Sequence, residues 1–188
     1  MNLRLALNFP EGMKISIDKA YCQTLEVKTG DNVLINEYSD SESIGKIKLI
    51  NFDCITGKVM LNIQWYFKPQ DTEDQSIISS CSDMELFLSE YCMDVEIQTV
   101  NGKVRVLTID EILKMQNYDQ DIYFSRARWD HMKKKLDPPL NSWKTDCVCN
   151  SIINPDIPFK PCKDCDRILH IACLDNLGSH QCPGCGQN

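Results

Sequence analysis

The chain lacks a basic balance, a long apolar run and a glycine-rich loop. It has 20 Lys and Arg against 27 Asp and Glu, for a formal net charge of -7. That sign disfavours DNA as a general partner, because affinity for nucleic acid rests on neutralised phosphates, and it suits a basic partner such as a histone tail. No apolar stretch approaches the roughly 20 residues that cross a bilayer, so no membrane partner is expected. The glycines are scattered, which leaves no loop to cradle a phosphate. There are three histidines, His131, His170 and His180, and none is followed two residues later by Glu. This removes the nucleobase-deaminase pattern that Pro161-Cys162-x-x-Cys165 half matches. No catalytic set can be named from spacing, and the chain is expected not to be an enzyme. Leu3, Leu5, Leu7 and Phe9 alternate and stop at Pro10, which suits a short strand and not a secretory signal. A reducing compartment is therefore expected, in which cysteines remain thiols or bind metal.

Cysteine is what the chain has in excess. Eight potential ligands crowd the C-terminal region in the order Cys147, Cys149, Cys162, Cys165, His170, Cys173, Cys182, Cys185. Close pairs of thiolates on tight turns supply zinc with its four ligands two at a time. Gaps of twelve, four and eight residues separate the four pairs. Gaps this short leave no room for an apolar core, so metal must supply the folding free energy. The series predicts two interleaved zinc ions with every ligand position filled. Cys22, Cys54, Cys81 and Cys92 stand singly and read as free thiols.

Upstream, about 140 residues suffice for one single-core domain. Val59, Leu61, Ile63, Trp65 and Phe67 alternate with Met60, Asn62, Gln64 and Tyr66, the period-2 pattern of a strand. Asp31 to Asn36, Ile44 to Ile50, Glu85 to Leu88 and Met93 to Val100 are shorter runs of the same kind. Thr29-Gly30-Asp31 and Thr56-Gly57 mark turns, and Asn101-Gly102 predicts a hairpin. A helix is expected with Thr108 or Asp110 as cap, Glu111 in its first turn, and Ile112, Leu113 and Met115 inward. Arg126, Arg128, Lys133, Lys134 and Lys135 form a basic cluster. It reads as a solvated helix face, with contact to nucleosomal DNA as the other reading. Asp137-Pro138-Pro139-Leu140-Asn141-Ser142 then breaks any helix, and residues 137–143 are expected to be a linker.

With a lone histidine fifth of eight ligands, residues 144–188 resemble a PHD-type zinc finger. The resemblance implies cross-bracing, with Cys147, Cys149, His170 and Cys173 on one ion and Cys162, Cys165, Cys182 and Cys185 on the other. The last gap is shorter than that family's, and the Cys182-Pro183-Gly184-Cys185 ending is also seen in RING-type fingers, which keeps an E3 ubiquitin ligase open as an alternative. His180 stands where PHD fingers carry a packing aromatic. Ile153 and Ile168 occupy the positions that are aromatic in fingers reading methylated lysine 4, so that reading is not expected. Asp156, Asp164 or Asp166 would instead pair the ammonium of an unmodified tail, or the finger would merely buttress the first domain.

Gly30-Asp31-Asn32-Val33-Leu34-Ile35, Ile44-Gly45-Lys46-Ile47, Trp65 to Thr72, Glu85 to Ser89 and Tyr123-Phe124-Ser125-Arg126 occur in an order that resembles the bromo-adjacent homology (BAH) domain. The likeness spans residues 19–136, with residues 1–18 as an N-terminal extension packed on it. It implies a mainly β fold, a twisted barrel-like core with short helices, followed by the two-zinc finger. Short BAH-PHD proteins are nuclear histone readers that regulate transcription, within larger chromatin complexes. In BAH readers of methylated lysine 27 of histone H3, the matched positions Trp65 and Phe67 are cage aromatics. The third wall falls at Ser43, with Tyr38 or Tyr91 as substitutes and Asp94 or Glu90 contacting the peptide. The other reading of Trp65 and Phe67 is the end of a core stripe. A nucleosome or DNA-binding scaffold is a further alternative.

Overall fold

A computed structural model describes residues 13–36, 42–115, 122–162, 164–165, 167–176, 182 and 184–185. The strands are β1 Lys14–Ile17, β2 Lys19–Cys22, β3 Leu25–Lys28, β4 Asn32–Asn36, β5 Glu42–Asp53, β6 Val59–Phe67, β7 Glu85–Glu96, β8 Val100–Thr108, β9 Ile122–Asp130, β10 Lys135–Asp137, β11 Phe159–Pro161 and β12 Ile168–His170. Among the described residues, three short helices, α1 Gln75–Ser80, α2 Ile109–Lys114 and α3 Ile171–Asn176, complete the regular elements with three 3-10 turns. The chain divides into two compact units, one of Met1–Tyr66 with Leu88–Arg105, the other of Phe67–Phe87 with Val106–Asn188. The expected strand over residues 3–9 lies outside the described residues.

The first unit is antiparallel β. β5 pairs on one side with β1 and β4 and on the other with β6, and β4 also pairs with β8. Alternation carries Leu61, Ile63 and Trp65 of β6 to the buried face. On β5 Ile44 and Gly45 are both buried near the start, and burial then steps from Ile47 to Ile50, a step that simple alternation does not give. A register shift between Ile47 and Leu49 explains it: an extra residue in one strand exchanges the faces of all that follow. Leu49 is thereby turned to solvent at 50% exposure while Ile50 is fully buried. The β5–β6 hairpin closes through Asp53, whose carboxylate accepts from the backbone N–H groups of Ile55 and Thr56. Those donors hold its pKa below the usual carboxylate range. Gly57 completes the turn at φ 69°, a conformation that favours glycine.

Two expectations about local structure are corrected. Asn101-Gly102 makes no hairpin. It lies within β8, where Gly102 pairs with Leu34 of β4, and the bend comes earlier, at the 3-10 turn Ile97–Thr99. Pairing along β4 captures the backbone that local turn preference would have folded back. The basic cluster is not on a helix either: Arg126 and Arg128 belong to β9, Lys133 and Lys134 to the turn after it, and Lys135 to β10.

The second unit has a buried group of Ile77, Cys81, Phe87, Ala127, Trp129, Leu136 and Trp143, and another in which α2 and β9 contribute Ile112, Ile122 and Phe124. Thr108 caps α2, and its hydroxyl and the Glu111 carboxylate reciprocally satisfy end groups of the helix. Ile112 and Leu113 are buried as expected, and Met115 is partly so. α1, started by the Asp74 carboxylate accepting from the Ser76 N–H, had no apolar period to announce it. Within residues 137–143, Leu140–Ser142 form a 3-10 turn and Trp143 is buried, its indole N–H donating to the Pro138 carbonyl at 3.0 Å.

Gly45 faces Trp65 across β5 and β6. A Cβ added there would lie 2.1 Å from Ile63 Cγ2 and 3.5 Å from the Trp65 ring. Ile63 is fully buried and β-branched, so it cannot swing aside. Gly45→Ala should destabilise the fold by about 1–3 kcal/mol, the cost of overpacking a core, read as a lower midpoint in chemical denaturation.

Candidate functional site

The ligand pairs are held on turns and strand ends. The Asn150 N–H donates to the Cys147 carbonyl, and the Cys185 N–H to that of Cys182, so each of these pairs brackets a tight turn. The Cys162 N–H donates to the Arg167 carbonyl, which brings the second pair back toward β12. His170 ends β12, and Cys173 sits in α3 directly after it. Two clusters result: Cys147, Cys149, His170 and Cys173, and Cys162, Cys165, Cys182 and Cys185. Within each, all four donor atoms lie within 4.8 Å of one another.

The spacing fits a tetrahedral ion. A Zn–S bond of about 2.3 Å implies sulfurs about 3.8 Å apart, and a sulfur and an imidazole nitrogen about 3.5 Å apart. Cys162 and Cys185 sulfurs are 3.6 Å apart, those of Cys165 and Cys182 are 3.7 Å, and Cys149 Sγ stands 3.3 Å from His170 Nδ1. Hydrogen bonds from Ser151 hold the Cys149 thiol down at about 6, and the Asp164 N–H holds Cys162 at about 7. Their neighbours move the other way. Cys173 is pushed up to about 11, chiefly by Cys147, and Cys185 is raised by Cys165 and Cys162. The three thiols of the first cluster, or the four of the second, cannot all ionise alone at such distances, whereas a dication in their midst makes the thiolates favourable. Both donor sets thus fit zinc. His180 and Asp166 lie outside the described residues.

A buried ion pair anchors this module to the segments in its unit. The Arg126 guanidinium donates from Nε to Glu85 Oε1 at 2.6 Å and from Nη2 to Oε2 at 2.8 Å. Its Nη1 donates to the Ile153 carbonyl at 2.9 Å, and its face lies 4.4 Å from the Trp143 ring centroid. The side chains are 6% and 0% exposed. Burial pushes the Glu85 carboxyl above the ordinary range, with Arg126 opposing. Nearby, Asp156 accepts from the Ser82 hydroxyl at 2.8 Å and the Asp83 N–H at 3.1 Å, and the Asn154 amide donates to the Cys81 carbonyl. Sequence reasoning missed this set, since neither Glu85 nor Asp156 carries any spacing signal; the Asn154-Pro155-Asp156 run was the one available hint.

Two readings are corrected here. Arg126 is enclosed and bound to Glu85, so it is no phosphate contact. Lys133 pairs with Asp130 at 2.9 Å and Lys134 approaches Glu73 at 3.7 Å, while Arg128 and Lys135 are exposed. Asp156 spends both oxygens inside the chain and is not free to meet an ammonium. Ile153 and Ile168 are buried in an apolar cluster with Leu113, Leu169 and Leu174.

In the first unit, Trp65 is 5% exposed and its buried indole N–H has no hydrogen-bond partner among the described residues. It lines a groove of about 920 Å³ together with Ile35, Met60, Met93, Asp94 and Glu96. Asp94 accepts from Asn62 at 2.8 Å and pairs with Lys14 at 3.4 Å, and Glu96 pairs with Lys58. Tyr91 is exposed, with its hydroxyl 3.8 Å from the Met93 sulfur, and Glu90 is exposed. Ser43 is half-buried on β5. Phe67, in the second unit, is half-buried and stacks on His131 with ring centroids 6.3 Å apart. Tyr38 lies outside the described residues.

Residues 25–139 match the BAH domain family. The chain belongs to that family. Two curated relatives from Arabidopsis thaliana align over 150 residues, 79% of this chain: the chromatin remodeling protein SHL at 22% identity and the chromatin remodeling protein EBS at 23%. The aligned stretch spans 64% and 62% of those proteins. The crystal structure of the yeast Rsc2 BAH domain superposes with a TM-score of 0.51 at 17% identity, covering 64% of this chain and 53% of that one, which supports the BAH fold. The ligand series from Cys147 to Cys185 lies beyond residues 25–139, the span matched to the BAH family.

Metal analysis of the full chain purified without chelator should find about two zinc ions per molecule, and Cys165→Ser should bring the ratio near one. Retention of both ions by that variant would mean that Cys165 is no ligand.

Arg126→Met leaves Glu85 buried without its counter-charge and should cost about 3–5 kcal/mol. The loss should be smaller at acid pH. A carboxyl raised in the folded state binds more protons folded than unfolded, so its unfavourable contribution grows as pH rises from the unfolded carboxylate pKa through the folded one. Thermal melts of the variant at mildly acidic and mildly alkaline pH, set against wild type, read both effects.

Proposed function

We propose that this chain is a nuclear, chromatin-associated histone-tail reader and not an enzyme. In this reading its BAH domain takes a methylated lysine, with lysine 27 of histone H3 as first candidate, and its C-terminal module is a PHD-type finger holding two zinc ions. The observation that carries the methyl-lysine reading is Trp65. Its buried indole N–H has no partner among the described residues, and it lines a groove with Met60, Met93, Asp94 and Glu96. An aromatic face and nearby acids suit an alkylated ammonium, whose charge is attracted to the ring while its methyls avoid water. The two plant relatives, both described as chromatin remodeling proteins, support the chromatin setting. The finger's role is to support the BAH domain, since Asp156 and the Ile153 carbonyl are engaged by Ser82, Asp83 and Arg126.

A second reading keeps Trp65 as core, favoured by its 5% exposure and its packing over Gly45. The domain is then a protein-interaction scaffold. Calorimetric titration with an H3 peptide trimethylated at lysine 27, beside the unmodified peptide, separates the two. For the reader, wild type binds the methylated peptide, and Trp65→Ala loses about 2 kcal/mol of binding, close to thirtyfold. Ser43→Tyr should tighten binding by adding a wall. For the scaffold, no methylated peptide binds wild type, and Trp65→Ala costs about 3–5 kcal/mol of stability.

A further inference from the structure

The second unit contains a groove of about 870 Å³ lined by α2 with Met115 just after it, by Lys144, by the loop before β11, by β11 itself and by the start of β12. Its apolar surface is Leu113, Met115, Phe159 and Ile168, and Pro155, Pro158 and Pro161 stiffen one wall. Lys114, Lys144 and Lys160 line it as well, against the single carboxylate of Asp110. Lys114, Lys144 and Lys160 are exposed. Lys144 pairs with Asp146 at 2.9 Å, whereas among the described residues Lys114 and Lys160 have no ion-pair partner. The local sign is therefore opposite to that of the whole chain, whose net charge is -7.

We propose that this groove binds an acidic segment of a partner protein, one that carries apolar side chains between its carboxylates. The volume suits a few buried side chains of a peptide. Leu113, Met115, Phe159 and Ile168 offer them an apolar floor, and Lys114 and Lys160 meet the flanking charges as complementarity requires. The apolar floor favours a peptide over a phosphate backbone, which brings no side chains to bury. The lysines likewise disfavour a basic histone tail at this place, so the groove leaves the tail to another surface. The site lies in the second unit and stands apart from the methyl-lysine reading of Trp65.

The test uses the full zinc-loaded chain and fluorescence anisotropy with three labelled probes: a peptide alternating aspartate and leucine, its counterpart with lysine replacing aspartate, and a short DNA duplex. The acidic peptide should bind, and the lysine peptide should not. The double substitution Lys114→Glu with Lys160→Glu should weaken the acidic peptide at least about tenfold with an unchanged melting temperature, since both side chains are exposed. Met115→Gln, at the groove and only partly buried, should weaken it as well. Equal binding of the aspartate and lysine peptides, loss of binding with the lysines but none with Met115→Gln, or tighter binding of the duplex would each overturn the proposal. So would failure of the acidic peptide to bind wild type.

Discussion

The Arg126 guanidinium, closed in by Glu85, Ile153 and Trp143, is the constraint on which the second unit depends. A charge this deep is tolerated only when nearly every donor is satisfied and its counter-charge is held in register. Glu85 comes from the start of β7, Arg126 from the middle of β9, and the accepting carbonyl from the loop just after the first metal-ligand pair. Trp143, covering the guanidinium face, precedes that pair by four residues. One side chain thus ties the position of the first metal cluster to two strands of the BAH fold. The cysteine-rich module inherits its place from that strand pair.

This linkage is also why the sequence was legible in one half of the problem and not in the other. Ligand identity is a property of residue type and spacing, and cluster membership is what the resemblance to a cross-braced PHD-type finger implies. The long strand Val59–Phe67 and the capped helix at Thr108 were readable because period and cap chemistry act locally. The fate of Ile47, Leu49 and Ile50 depends on a register shift opposite β6, and the fate of Asn101-Gly102 on pairing with β4. The second is decided by a strand distant in sequence, and the first by a one-residue slip within a hairpin that residue type alone does not announce. Arg126 shows the same limit for charge: among basic neighbours it reads as solvated surface, and only a glutamate 41 positions earlier makes it core.

The candidate reader residues carry the same ambiguity in sharper form. A tryptophan at strand spacing can close a core or wall a cage, and the alternation of β6 is identical in both cases. Burial of the ring together with an indole N–H unpartnered among the described residues separates Trp65 from Ile63 and Leu61, whose side chains carry nothing polar. A buried donor without an acceptor is costly in a finished core, so its persistence beside a groove is more than packing alone requires.

Charge distribution then gives the two units different chemistry within one acidic chain. Around Trp65 the carboxylates of Asp94 and Glu96 already hold Lys14 and Lys58, so an incoming lysine must displace or share an ammonium at exposed, weakly held pairs of the kind that contribute little to stability. Around Phe159 the sign is reversed, with Lys114 and Lys160 uncommitted among the described residues. On the proposed readings, a basic tail and an acidic segment would find separate surfaces on the same molecule. Each is discouraged by like charge from the other's groove, which is how electrostatics assigns partners when apolar lining alone would accept either.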